Sequence, residues 1–175
     1  MKHFVIISGG TIDDSFADRW FEEEKPDAVI AAEQQPGDFV IACDRGYAYC
    51  ERLGLTPDLF IGDFDSYSGA VAQGVAVERL IPEKDDTDTE SAIRLAIRRG
   101  AERITLLGAT GTRLDHVLGN IELLGIGLKA GIPIQICDAH NRIRMIDRGM
   151  TLARKEQFGT YVSLIPYTEC VGHLT

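Results

Sequence analysis

From about residue 3 to residue 138, short apolar runs alternate with longer amphipathic segments, and this alternation limits the possible folds more than any other feature. Strands that alternate with helical segments build a mostly parallel sheet covered by helices. The apolar runs predict strands over residues 3–7, 39–43, 59–61, 76–80, 104–107 and 134–137. Two helices are also legible. Thr87-x-x-Glu90 reads as a capping box, Ala92, Ile93, Ala96 and Ile97 form one face, and Gly100 marks the stop. A second helix starts near Leu114, lines up Val117, Leu118, Ile121 and Leu124, and ends at Gly131 before Pro133. Beyond residue 138 the pattern changes. Runs at 143–146, 150–153 and 161–165 are joined by polar turns, which predicts a small antiparallel unit packed on a larger partner.

A chain of 175 residues with 45% apolar and 26% charged side chains has ordinary globular composition. It is long enough for one full domain or one domain and part of another. The net charge of −9, with no basic patch, disfavours a nucleic-acid partner. No apolar run approaches the length of a membrane span, and the few apolar residues after the start are too short for a signal peptide. The four cysteines sit at no zinc or redox spacing and read as reduced core thiols of a cytoplasmic protein.

Acidic residues gather where the predicted strands end. Asp44 follows the second strand, Asp63 and Asp65 follow the third, and Asp85, Asp86 and Asp88 lead into the capped helix. Ligands of open parallel sheets bind beyond the carboxyl ends of the strands, so Asp44, Asp63, Asp65 and Asp88 are expected to converge there. Two carboxylates at 4 Å repel by about 4 kcal/mol at an effective dielectric of 20. A divalent cation offsets that repulsion, and an all-oxygen donor set favours Mg²⁺ over zinc. Each acidic group taken alone also reads as turn or helix-cap chemistry; three of them at strand ends favour a shared site. The glycine-rich residues 108–116 lie between a strand and a helix, where free amides and Arg113 suit a phosphate. They form neither a Walker loop nor a dinucleotide fingerprint. By spacing alone His116 reads as a helix-start hydrogen bond ahead of a nucleotide contact, and Ser8-Gly9-Gly10 reads equally as a phosphate contact or a plain turn. Trp20, Tyr47 and Tyr49 are expected to serve packing.

The order and spacing of Asp44-Arg45-Gly46, Gly62-Asp63-Phe64-Asp65-Ser66, Lys84-Asp85-Asp86-Thr87-Asp88-Thr89-Glu90 and residues 108–116 with Asn120 resemble the thiamine pyrophosphokinase family. The resemblance spans residues 1 to about 167. It implies transfer of a pyrophosphoryl group from ATP to the hydroxyethyl oxygen of thiamine, giving thiamine diphosphate and AMP. It also implies an α/β nucleotide-binding catalytic domain over residues 1–138, the start of a C-terminal β-sandwich over 139–175, Mg²⁺, and a homodimer. Carried over by position, Asp44, Asp63, Asp65 and Asp88 are the metal–diphosphate site, with Asp63, Asp65 and Asp88 catalytic and Asp65 or Asp88 the candidate proton acceptor. Gly46, Thr87, Arg113, Asp115, His116 and Asn120 belong with Asp44 to the nucleotide and substrate cleft. The run around Tyr161, Ser163 and Leu164 corresponds to the start of the sandwich. Residues 16–35 match no motif of the family. Its members continue through further sandwich strands; if Thr175 is the true terminus, the ATP site is expected to survive with an impaired thiamine pocket, and a sequence cut short of its natural end is the other reading. Three other readings remain: an Asp-x-Asp phosphohydrolase of the haloacid-dehalogenase type, a pterin-alcohol pyrophosphokinase, and a non-catalytic nucleotide-sensing module. In the first, the acidic pair normally follows the first strand, not the third.

Overall fold

In a computed structural model, described over residues 2–23, 38–63, 67, 69–80, 86–169 and 171, every predicted strand before residue 138 forms. The order is β1 (His3–Ile7), α1 (Asp14–Glu23), β2 (Asp38–Cys43), α2 (Gly46–Arg52), β3 (Leu59–Gly62), β4 (Ala76–Arg79), α3 (Asp88–Arg98), β5 (Arg103–Leu107), α4 (Leu114–Ala130), β6 (Ile134–Cys137) and β7 (Arg142–Arg144). The sheet runs β4-β3-β2-β1-β5-β6-β7, parallel throughout except for β7, which pairs antiparallel with β6. Residues up to β4 add strands to one side of β1, and residues after α3 add them to the other. The sheet is therefore doubly wound, with its switch between β1 and β5.

The period-2 geometry of a strand explains the two cores. In β1, Phe4 and Ile6 face α3 and α4, joined by Ile41, Ile61, Ile93, Leu106, Leu124 and Ile136. Val5 and Ile7 face the other way, with Val40, Phe60 and Leu107, against Phe16, Trp20 and Phe21 of α1 and Tyr47 and Cys50 of α2. Trp20 and Tyr47 are core residues, as expected. Cys43, Cys50 and Cys137 are buried thiols, and burial pushes the Cys50 thiol up to about 12. Helix ends follow their sequence signals. Thr87 Oγ1 accepts from Glu90 N at 3.1 Å, and Gly131 takes the left-handed conformation at φ +69°. The capping box is only half used, because the Glu90 carboxylate pairs with Arg94 one turn on.

Three expectations need correction. Helix α1 occupies the start of residues 16–35, which matched no motif; Phe16, Trp20 and Phe21 carry a helical spacing, and residues 24–35 lie outside the described ones. Leu114 and Leu118 were expected on a buried face of α4 but are 68% and 54% exposed. A helix of this length is about 25 Å long and a strand like β5 only about 17 Å, so its first turns overhang the sheet. Of the antiparallel unit, only the first run forms a strand, shifted to Arg142–Arg144. Residues 150–153 and 161–165 are not strands; a 3₁₀ turn at Arg154–Glu156 lies between them, and neither run has a ladder partner among the described residues.

A polar row crosses the sheet beside α1. Arg103 donates to His3 Nδ1 and His3 Nε2 lies 3.0 Å from Thr105 Oγ1, which also accepts from Gln135; Arg144 donates to Gln135 Oε1. Because a guanidinium only donates, Nδ1 accepts and Nε2 carries the proton. Burial, and then the Arg103 charge, hold the His3 pKa down at about 4.

Two predictions follow from this packing. The folded chain resists protonating His3 and the unfolded chain does not. The histidine's contribution is therefore complete above pH 6.5 and is lost as pH falls toward 4. Urea unfolding across that range should show the gap between wild type and His3→Gln closing on the acid side. On α4, a Cβ at Gly127 would sit 2.5 Å from Ile134 Cγ1 and 2.6 Å from the Ile132 carbonyl, whereas one at Gly125 would meet only Met145 Sδ at 3.8 Å. Gly127→Ala should cost about 1–3 kcal/mol and Gly125→Ala should stabilise by up to about 1 kcal/mol, both read from urea midpoints.

Candidate active site

Parallel pairing brings the carboxyl ends of β1, β2, β3 and β5 to one edge of the sheet. Between β1 and β5 the ladder continues past the strands: Ser8 N donates to Leu107 O at 2.8 Å, Gly10 N to Gly108 O at 2.7 Å and Thr11 N to Thr110 O at 2.8 Å. The close approach requires glycine, since a Cβ at Gly10 would lie 2.3 Å from both the Gly108 and Thr110 carbonyls. Tyr49, expected only to pack, donates its hydroxyl to Gly10 O at 2.5 Å and ties α2 to this turn.

Asp44 is the first residue beyond β2. Its amide donates to Ile61 O at 3.0 Å, extending the ladder to β3, while its carbonyl accepts from Tyr47 N at 2.9 Å to start α2. Meeting both demands puts Asp44 at φ +43°, a left-handed conformation that costs a non-glycine residue about 1–2 kcal/mol. Backbone strain of this kind gathers at functional sites, where the surrounding structure holds it in place. Gly62 makes room, as a Cβ there would come 3.3 Å from Asp44 Cβ.

The turn delivers the Asp44 carboxylate to those of Asp63, just past β3, and Asp88, the first residue of α3. One oxygen from each lies within 4.8 Å of the others, and all three residues are half-buried. Each pair at that distance repels by about 3 kcal/mol at an effective dielectric of 20. Asp44 Oδ1 is buried and accepts no hydrogen bond. A buried carboxylate oxygen without a donor is costly, and three hard oxygens on rigid supports suit a divalent cation such as Mg²⁺.

The other predicted residues divide. Asp65 lies outside the described residues, as do Lys84 and Asp85. Gly46 matters for the side chain it lacks: it is buried, and a Cβ there would fall 2.0 Å from the Ile7 carbonyl, so it lets α2 begin against β1. The Thr87 hydroxyl caps α3. Beyond β5, Arg113 and Asp115 form an exposed ion pair at 2.5 Å. That hydrogen bond lowers the Asp115 pKa and raises that of Arg113. His116 is exposed on the first turn of α4, and Asn120 Nδ2 donates to Ala109 O at 2.8 Å, bracing the glycine-rich turn. The sequence assigned no role to the buried hydroxyl pair of Ser8 and Thr89, 2.8 Å apart, or to the Cys43 thiol, which donates to Asp88 O at 3.8 Å. Neither stands in a recognisable spacing, because each joins elements distant along the chain.

Residues 32–136 match the family described as thiamin pyrophosphokinase, catalytic domain. The chain is 34% identical over 142 residues to the thiamine pyrophosphokinase of Bacillus subtilis, covering 77% of this chain and 65% of that relative's length. It superimposes on the crystal structure of thiamine pyrophosphokinase from Bacillus subtilis with a TM-score of 0.68 at 30% identity, covering 85% of this chain and 66% of that one. The thiamin pyrophosphokinase structure from Geobacillus thermodenitrificans gives 0.60 at 30% identity, with coverage of 81% and 61%. The yeast thiamin pyrophosphokinase shares the fold at 16% identity and a TM-score of 0.61, with coverage of 83% and 61%.

The electrostatics of the cluster make a prediction that needs no substrate. In EDTA, Asp63→Asn relieves repulsion and should melt no lower than wild type. Millimolar Mg²⁺ should raise the melting temperature of wild type by several degrees and leave that of Asp63→Asn unmoved, as read by thermal unfolding.

Proposed function

The chain belongs to the thiamin pyrophosphokinase family, and on that premise we propose that it transfers the pyrophosphoryl group of ATP to the hydroxyl of thiamine, giving thiamine diphosphate and AMP. The observation that carries the proposal is the meeting of Asp44, Asp63 and Asp88 at the carboxyl ends of β2 and β3, from three motifs widely separated in sequence. These carboxylates would hold Mg²⁺, and Asp65 is assigned to the same site by its motif. When bound, the cation supplies positive charge that offsets the triphosphate and the charge developing as the β-phosphorus changes partner.

The chain's own residues do the positioning. The turns at Ser8-Gly9-Gly10 and 108–112 pair with each other beyond β1 and β5 and are short of side chains, so a phosphate can approach their backbone. Asn120 holds the second turn in shape, and the Arg113–Asp115 pair stands at its outer end, where the guanidinium faces solvent and can take an anionic oxygen. Asp88 stands at the N-terminus of α3, where the helix dipole favours its ionised form. The end of β1 carries Ser8-Gly9-Gly10 instead of an acidic nucleophile, which speaks against the phosphohydrolase reading.

On the same premise, residues 1–138 are the catalytic domain and 139–175 begin the thiamine-binding unit. Leu114 and Leu118, exposed one turn apart on α4, support a homodimer, since adjoining exposed apolar side chains can mark a subunit contact. No helix among the described residues is long and apolar enough to cross a membrane, which agrees with a cytoplasmic enzyme.

Incubation with ATP, Mg²⁺ and thiamine, followed by chromatography of the nucleotides, tests the reading. AMP should appear only when thiamine is present. Asp63→Asn or Asp88→Asn should lower turnover about a hundred-fold or more with far-ultraviolet circular dichroism unchanged. Thiamine-independent release of inorganic phosphate would overturn the assignment.

A further inference from the structure

Of the three clustered carboxylates, two are fixed by the sheet. Asp44 is bonded into the β2–β3 ladder through its amide, and Asp63 directly follows β3. Asp88 rides on α3, which meets the sheet through Ala92, Ile93 and Ala96. Apolar packing is non-directional and by itself leaves a helix free to slide by a fraction of an ångström. The first turn of α3 carries two directional links instead. The Thr89 hydroxyl meets the Ser8 hydroxyl at 2.8 Å, both residues being buried, and the Cys43 thiol donates to the Asp88 carbonyl.

Ser8 is well placed to act as an anchor. It directly follows β1, its amide donates to Leu107 O, and a Cβ at Gly108 would come 2.5 Å from its carbonyl. Its backbone is thus held against the end of β5. Cys43 immediately precedes Asp44, so the link runs from the neighbour of one aspartate to the backbone of another. A buried hydroxyl pair away from water also resists separation, because each group would lose its partner.

We propose that Ser8 and Thr89, aided by the Cys43 thiol, are positioning residues that set the distance of Asp88 from Asp44 and Asp63 and so tune affinity for a divalent cation. This rests on the reading of those aspartates as a cation site. Groups that orient a ligating side chain typically contribute ten-fold or more to metal affinity.

The test titrates Mn²⁺, followed by the loss of its free-ion electron paramagnetic resonance signal, into wild type, Ser8→Ala, Thr89→Val, Thr89→Ser and Asp44→Asn, with a melting curve for each. Thr89→Val keeps the shape and removes the hydroxyl, and Thr89→Ser restores it. The expected result is Mn²⁺ binding weakened about ten-fold in Ser8→Ala and Thr89→Val, and affinity near wild type in Thr89→Ser. If Ser8→Ala and Thr89→Val melt lower but bind Mn²⁺ as wild type does, the pair is structural only and the positioning role is overturned, with the cation site intact. If wild type binds no tighter than Asp44→Asn, the cation site itself is wrong and the positioning role falls with it.

Discussion

The parallel hydrogen-bond ladder of β1 with β2 on one side and β5 on the other is the constraint from which the rest of this molecule follows. Parallel pairing points every strand the same way, so the residues that leave β1, β2, β3 and β5 emerge on one edge. It also obliges helices to cover both faces, which accounts for two separate cores on either side of one set of strands. At the switch between β1 and β5 the segments that leave the two strands stay paired, Gly10 N donating to Gly108 O and Thr11 N to Thr110 O, so both glycine-rich turns are held together on the edge that carries the aspartates.

On that edge the fold concentrates its unfavourable terms. Asp44 is held at positive φ, three carboxylates stand within 4.8 Å, and a buried oxygen lacks a donor. The positive φ of Asp44 serves the turn from β2 into α2, but the clustered charge and the donorless oxygen do not serve folding. They persist because the ladder and two well-filled cores supply stability elsewhere, and because a cation and a triphosphate would satisfy them together. The polar row from His3 to Arg144 shows the opposite arrangement: buried polar groups in the sheet that bond one another in sequence across four strands.

Beyond β7 the balance changes. Tyr161 and Ile165 are 91% and 84% exposed, on a segment that pairs with no strand among the described residues. Their sequence has strand character, but a strand exists only with a partner to share its ladder. Periodicity reports what a segment is suited for, and the absence of a partner explains why two of the three expected antiparallel strands do not form.

How much could be read beforehand follows from the range of each interaction. Strands β1 to β6, helices α3 and α4, the Thr87 cap and the Gly131 stop were legible because they rest on side-chain periodicity and on contacts within a few residues. The three aspartates were legible as candidates because their motifs follow apolar runs. Helix α1 escaped because only Phe16, Ala17, Trp20 and Phe21 mark it, in a stretch with no capping box. The sequence alone determined that a doubly covered parallel sheet would form and which acidic groups would end its strands. Only the tertiary structure decided that Asp44, Asp63 and Asp88 meet, that Leu114 and Leu118 overhang the sheet, and that Ser8 reaches Thr89 across 81 positions. Such juxtapositions depend on strand order and register, which arise from the packing of the whole chain and leave no local pattern.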